Sequence, residues 1–208
     1  MVNSFDSFED GDMSEYEQLF GFGDAPSISS SNPFDNSLAL DLNPNDSKVR
    51  HETYIHSTAS RSVSDGGGFG LHFSPNITGD TNHRLLFGFA LQSRDDRISS
   101  LNGYHVEVEF IDQNISLVQS YGDEFLENTT IASQSLTESL QTDDRYYRLS
   151  VQTWDSDGNI TVKLTDESTG SEIASISAVD TTYTDGAWPG IEVDVYSGPP
   201  TFPTPIQP

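Results

Sequence analysis

The chain has 208 residues, 33 acidic against 9 basic, a formal net charge of −24 and no cysteine. That length suits one domain better than two. The missing cysteines exclude a disulfide framework, a thiolate zinc site and a thiol nucleophile, and the charge excludes nucleic acid as a partner, because phosphate would be repelled. Hydrophobic residues make up only 34% of the chain, yet aromatics reach 11%. Large rings bury much area each, which separates this composition from a disordered chain.

The acids are spread along the whole chain, and Lys48 and Lys163 are its only lysines. This pattern points to a protein that works in molar salt, where the Debye length shrinks to about 3 Å and self-repulsion fades. The first residues carry neither a basic stretch nor an apolar core, so no signal peptide is expected. No window approaches the roughly 20 apolar residues of a membrane span.

In chain order, residues 19–23 form a short aromatic and glycine strand or loop, and 27–34 a polar connection. Strands are expected at 38–42, 50–60 and 69–73, separated by loops rich in Asn, Pro, Asp and Gly. Residues 85–91 are a continuous apolar run, the mark of a strand central to the sandwich. Tyr104, Val106, Val108 and Phe110 alternate with His105, Glu107 and Glu109 over the strand expected at 104–111. Short strands follow at 115–120 and 129–136, and Ile191, Val193 and Val195 mark the last one. From Gly198 the chain is a proline-rich, polyproline II-like tail. No helix of three turns is expected. Many short strands with turn signals predict an all-β, two-sheet antiparallel sandwich, one domain over 1–197 with an arm at 1–5 and the tail at 198–208.

The clearest stretch is 145–180. Tyr147, Leu149 and Val151 alternate with Arg148, Ser150 and Gln152, and Ile160, Val162 and Leu164 with Thr161, Lys163 and Thr165. Asp157-Gly158 between them is a strong hairpin signal. A two-residue loop there pairs Trp154 with Thr161, Thr153 with Val162 and Val151 with Leu164. That register puts Trp154 off the core, on the polar face with Arg148, Gln152 and Lys163. Trp154 would then stack on the apolar face of a sugar with Arg148, Gln152 and Lys163 as polar neighbours, or lie flat over the hairpin or under an adjacent subunit. Thr169-Gly170 makes the next turn, before a strand at 173–179.

This stretch resembles the late strands of laminin-G-like, or concanavalin A-like, jelly-roll domains. So do the opening Phe8-Glu9-Asp10-Gly11-Asp12-Met13-Ser14-Glu15-Tyr16, which is similar to such domains in halophilic archaea, the segment Ser37-Leu38-Ala39-Leu40, and Asn102-Gly103-Tyr104-His105-Val106. The resemblance covers roughly residues 5–197 and implies a concanavalin A-like jelly roll, a fold that usually meets sugars outside cells. It also implies a structural Ca²⁺ between the opening strand and the last one, with Glu9 and Asp194 as its ligands; hard oxygens are what that ion takes.

Glycoside hydrolases of this fold carry paired carboxylates on one strand, and Glu107, Glu109 and Asp112 are the counterpart here, in a poorly matching order. Acids on an outward face are what a salt-adapted protein is expected to carry, and no catalytic residue is assigned. His51, His56, His72, His83 and His105 are scattered and read as surface or strand residues. An outside-facing fold without a secretion signal leads to an expectation of a non-enzymatic virion surface protein, a capsid turret, spike or tail fibre of a haloarchaeal tailed virus. It would be homo-oligomeric, contact other virion proteins, be made in the host cytoplasm and attach to host-surface glycans. The alternatives are a glycan-binding module of a halophilic cell and a laminarinase-like glycoside hydrolase.

Overall fold

The computed structural model describes residues 16–20, 27–29, 39–41, 50–57, 69–75, 82–93, 98–122, 128–141, 145–184 and 188–196. They form the strands β1 (Tyr16–Phe20), β2 (Ser27–Ser29), β3 (Ala39–Asp41), β4 (Arg50–Ser57), β5 (Phe69–Phe73), β6 (Asn82–Leu91), β7 (Gly103–Glu109), β8 (Asn114–Ser120), β9 (Thr129–Ser135), β10 (Tyr147–Trp154), β11 (Asn159–Asp166), β12 (Glu172–Val179) and β13 (Trp188–Tyr196). A 3-10 turn at Ile98–Ser100 is the helical element among the described residues, and none there is long and apolar enough to cross a membrane.

The strands build a seven-stranded sheet in the order β1-β4-β13-β6-β7-β8-β9, a four-stranded sheet in the order β12-β11-β10-β5, and a small β2-β3 pair. Every pairing is antiparallel. The two large sheets share one core. Phe87, Phe89, Tyr104, Val106, Val108, Ile115 and Leu117 meet Leu149, Val151, Trp154, Ile160, Val162, Leu164 and Ile176 across it. Each of these large side chains stabilises the fold by roughly 1.5–3 kcal/mol through burial. The all-β, two-sheet sandwich expected from the strand periodicity is the fold observed.

Strand β6 carries apolar residues on both faces because both are covered. Leu85, Phe87 and Phe89 point into the main core, while Leu86 and Leu91 join Ile98 and Leu101 in a second cluster on the opposite face. β6 also begins at Asn82, earlier than its apolar run. His83 pairs with Val195 and is buried, so polarity alone hid the start of the strand.

The hairpin register departs from the one expected. Gly158 has φ of 79°, its N–H donates to Asp155 O at 3.0 Å, and Asp155 N–H donates to Asn159 O at 3.3 Å. The loop is therefore three residues, Ser156 to Gly158, with glycine in the left-handed position that such loops need. A bulge between Val151 and Thr153 then shifts the ladder again. Val151 pairs with Val162, Thr153 with Thr161, and Trp154 with Ile160. The extra residue in β10 turns Trp154 from the outer face to the core, where it is 6% exposed.

Candidate functional site

One end of the sandwich gathers the loops that follow β6, β8, β10 and β12. Their contacts are specific. Gln92 N–H donates to Asn102 O at 2.8 Å, and Asp180 N–H to Gly158 O at 2.9 Å. Trp154 Nε1–H donates to Tyr183 O at 3.1 Å, so the core indole anchors the loop after β12. Tyr183 in turn donates its hydroxyl to Ser120 O at 2.8 Å, with Asn102 Oδ1 at 3.4 Å. Its ring packs edge-on against Tyr104, centroids 5.3 Å apart. Tyr104 donates its hydroxyl to the Asp180 carboxylate, which also accepts from Thr182 N–H at 2.8 Å.

Burial pushes the Asp180 carboxyl up, and the hydrogen bonds from Tyr104 and Thr182 overcome that and hold it below the usual carboxylate range. Burial, then the neighbouring Tyr121 and Asp180, pushes the Tyr183 hydroxyl up. The phenols stay neutral donors beside a fixed carboxylate. On this scaffold sit Tyr121, 43% exposed, and the exposed Asn102. Tyr121 is tied down by its hydroxyl, which donates to Gln119 Oε1 at 2.6 Å. The end thus presents an aromatic ring, an amide, a carboxylate and hydroxyls on interlocked loops.

A second polar group lies on the outer face of the seven-stranded sheet. Arg84 Nη1 and Glu107 Oε1 are 3.1 Å apart, His105 Nε2 is 3.4 Å from the same oxygen, and Ser120 Oγ is 2.9 Å from His105 Nδ1. The carboxylate only accepts, so a neutral His105 carries its proton on Nε2 and accepts from Ser120. Burial raises the Glu107 carboxyl, but the His105 hydrogen bond and the Arg84 charge bring it below its ordinary value. Burial, then the charges of Glu107 and Asp112, raises Glu109. Ser120 and His105 are fully buried. The row works as a cross-strand clamp over β6, β7 and β8. His83 and His105, expected at the surface or along strands, lie on β6 and β7 and are both buried. Glu192 was not singled out by the alternation of β13. It is fully buried and accepts from Ile98 N–H at 2.6 Å, fixing the 3-10 turn over the sheet.

The residues expected at a sugar or partner contact divide. Arg148, Gln152 and Lys163 share the outer face of the four-stranded sheet, but Trp154 does not join them. Arg148 Nε pairs with Glu167 at 3.0 Å, Lys163 Nζ with Glu172 at 2.7 Å, and Gln152 Nε2 donates to Ser150 Oγ at 2.7 Å. Glu9 lies outside the described residues, and the backbone of Asp194 pairs with Glu52 and Arg84. Among the described residues no three His, Asp or Glu side chains converge to hold a metal ion.

Sequence comparison finds no matching family model and no matching curated protein. Comparison of the fold does find relatives in shape. A legume lectin-like domain from Entamoeba histolytica superposes with a TM-score of 0.58 at 11% identity, over 87% of this chain and 85% of that one. The exoplasmic/lumenal domain of VIP36, in its Ca²⁺-bound form, gives 0.56 at 12% identity, over 91% and 86%. Lectin II from Ulex europaeus gives 0.53 at 11% identity, over 90% and 87%. At these identities the likeness is one of architecture, and by that measure the chain has the fold of the legume-lectin-like jelly rolls.

Proposed function

We propose that the chain is a non-enzymatic carbohydrate-binding module that takes its sugar at the loop end of the sandwich. The observation that carries this is Tyr121, an aromatic ring 43% exposed beside the Asn102 amide on loops held by Tyr183 and Asp180. Such a ring stacks on the apolar face of a pyranose while amides, hydroxyls and carboxylates bond its hydroxyl groups. The VIP36 domain of the same fold was crystallised in a Ca²⁺/Man2-bound form, which supports a sugar as the ligand class. Glu107 supports the non-enzymatic reading, since its Oε1 is engaged by both Arg84 and His105.

The test is a glycan-array screen in molar salt, followed by titration of the best ligand. Tyr121→Ala is expected to weaken binding at least about tenfold, the equivalent of 1.4 kcal/mol, with the melting temperature nearly unchanged. Loss of binding in Gln152→Ala or Arg148→Ala, with Tyr121→Ala silent, would move the site to the outer face of the small sheet. Hydrolysis of a laminarin-like glucan, abolished by Glu107→Gln, would overturn the non-enzymatic reading.

Within this proposal we place the domain at the surface of a halophilic virus particle, as a turret, spike or tail-fibre protein attaching to host glycans. The net charge of −24 supports the salt, and the resemblance of residues 8–16 to the opening of such domains in halophilic archaea supports the host. Recovery of the chain in purified particles tests the location, and its recovery on cells instead would favour a cellular glycan-binding module. A structural Ca²⁺ held by Glu9 and Asp194 belongs to the same proposal.

A further inference from the structure

The two large sheets end in exposed strands, and they are not alike. β9, at the end of the seven-stranded sheet, is bulged: Leu117 pairs with Ala132 but Val118 with Thr130. A bulge twists an edge away from new partners. β12, at the end of the four-stranded sheet, has its one irregularity at its start. From Ala174 to Val179 its register against Leu164 to Asn159 is unbroken. This run, Ala-Ser-Ile-Ser-Ala-Val, carries no charge, proline or glycine in a chain with 33 acids.

Hydrogen-bond parity identifies its open side. Asp180 N–H donates to Gly158 O, on the side of β11. With a period of two, Ala178, Ile176 and Ala174 bond to β11 as well, and Ser175, Ser177 and Val179 turn their N–H and C=O groups outward. Ile173, of the same parity, is already met: its carbonyl accepts from Thr137 N–H at 3.1 Å and Thr137 Oγ1 at 2.8 Å. Beyond that cap no strand of the described residues pairs with β12 on this side. Val179 is 74% exposed, above Ile111 and Tyr121, the other exposed large hydrophobics of the described residues.

We propose that this edge is the seam of a homodimer, in which β12 of a second copy adds antiparallel about a two-fold axis at Ser177. The two four-stranded sheets then join into one. Pairing on that axis sets Ser177 against Ser177 of the partner subunit and Ser175 against Val179 of the partner subunit, so the outward backbone groups of one copy meet those of the other. The pattern is self-complementary, as a two-fold contact requires. Charge selects the same occupant. Two chains of −24 each meet here without acid facing acid, because Asp180 falls opposite Ala174 of the partner subunit. A basic peptide would find no carboxylate along the run to pair with.

The dimer is independent of the sugar proposal and is tested on the unliganded chain by sedimentation in molar salt. The expected mass is twice the chain mass of 22.8 kDa. Ser177→Pro is expected to fold, since proline is tolerated where the strand N–H faces outward, and to sediment as a monomer. Ser177→Ala is expected to stay dimeric. Amide exchange at Ser175, Ser177 and Val179 should slow with protein concentration in the wild-type chain, which decides the matter even where the proline variant fails to fold. A wild-type monomer at millimolar concentration, a dimeric Ser177→Pro, or concentration-dependent protection elsewhere and not at these three amides would overturn the proposal.

Discussion

Trp154 sits in the core because β10 gains one residue before reaching it. Its ring lies edge-on to Phe89 with centroids 6.0 Å apart, and its one polar atom is satisfied by Tyr183 O. Trp154→Ala is therefore expected to cost about 3–5 kcal/mol, measured by denaturant unfolding; a cost under about 1 kcal/mol would mean that the indole lies outside. The alternation of Tyr147, Leu149 and Val151 was legible in the sequence, and these three do face the core. The side of Trp154 was not, because a bulge has no residue signature in Val151-Gln152-Thr153 and flips everything beyond it. The burial of His105 was not legible for a related reason. His105 alternates with core residues and so points away from the main core, but its face of the sheet is itself covered. Nothing in the local pattern of β7 announces that this face is buried as well. Glu192 shows the same thing: an acid in a chain full of acids reads as solvent-facing until its acceptor role at Ile98 and Ser99 is seen.

At the level of elements, strand positions were more legible than their pairing. The apolar run in β6 and the alternation in β7, β10 and β11 each sit where the periodicity puts them, because side-chain period is a local property. Pairing depends on loop geometry and on bulges, and here Gly158 sets the first and the irregularity between Val151 and Thr153 the second. Gly158 makes the turn three residues long, and a Cβ there would lie 2.6 Å from Asp180 O and 2.7 Å from Thr181 Cγ2. The turn is thus packed directly under the end of β12, the segment that leads into Tyr183 and the candidate site. Gly170 also has positive φ, 71°, but nothing stands within 4 Å of a Cβ built on it. The pair separates two costs. Gly170→Ala is expected to destabilise by about 1 kcal/mol, the left-handed penalty alone. Gly158→Ala adds a backbone clash and should cost at least about 2 kcal/mol more. It should also loosen the loop at Asp180 and so weaken ligand binding at Tyr121. Equal melting temperatures for the two variants would show that the turn does not bear on β12. The loop end was invisible beforehand because Asn102, Tyr121, Asp180 and Tyr183 come from three separate stretches and converge only through the sheet order.

For the whole molecule the dominant quantity is its charge of −24, spread over 33 acids. Among the described residues, Arg84, Arg148 and Lys163 sit in ion pairs with Glu107, Glu167 and Glu172. Nine basic residues against 33 acids leave most of the acidic charge uncompensated. At low ionic strength that surface repels itself over a Debye length of about 10 Å, longer than the spacing between neighbouring strands. In molar salt the length falls to about 3 Å, and only contacting charges still interact. The compact state suffers more from repulsion than the expanded one, so salt stabilises folding here. A low apolar fraction leaves little core stability in reserve against that repulsion. The isolated chain is therefore expected to lose its cooperative unfolding transition below about 0.5 M salt, where the Debye length exceeds roughly 4 Å. Screening and specific ion binding are distinguishable, because screening depends on ionic strength and not on which cation supplies it. KCl and NaCl should give superimposable curves of melting temperature against ionic strength. Addition of millimolar CaCl₂ at fixed ionic strength should raise the curve only where Ca²⁺ occupies a defined site. A melting temperature that is flat from low to molar salt would overturn the salt-dependence, and with it the placing of this acidic jelly roll in a hypersaline setting.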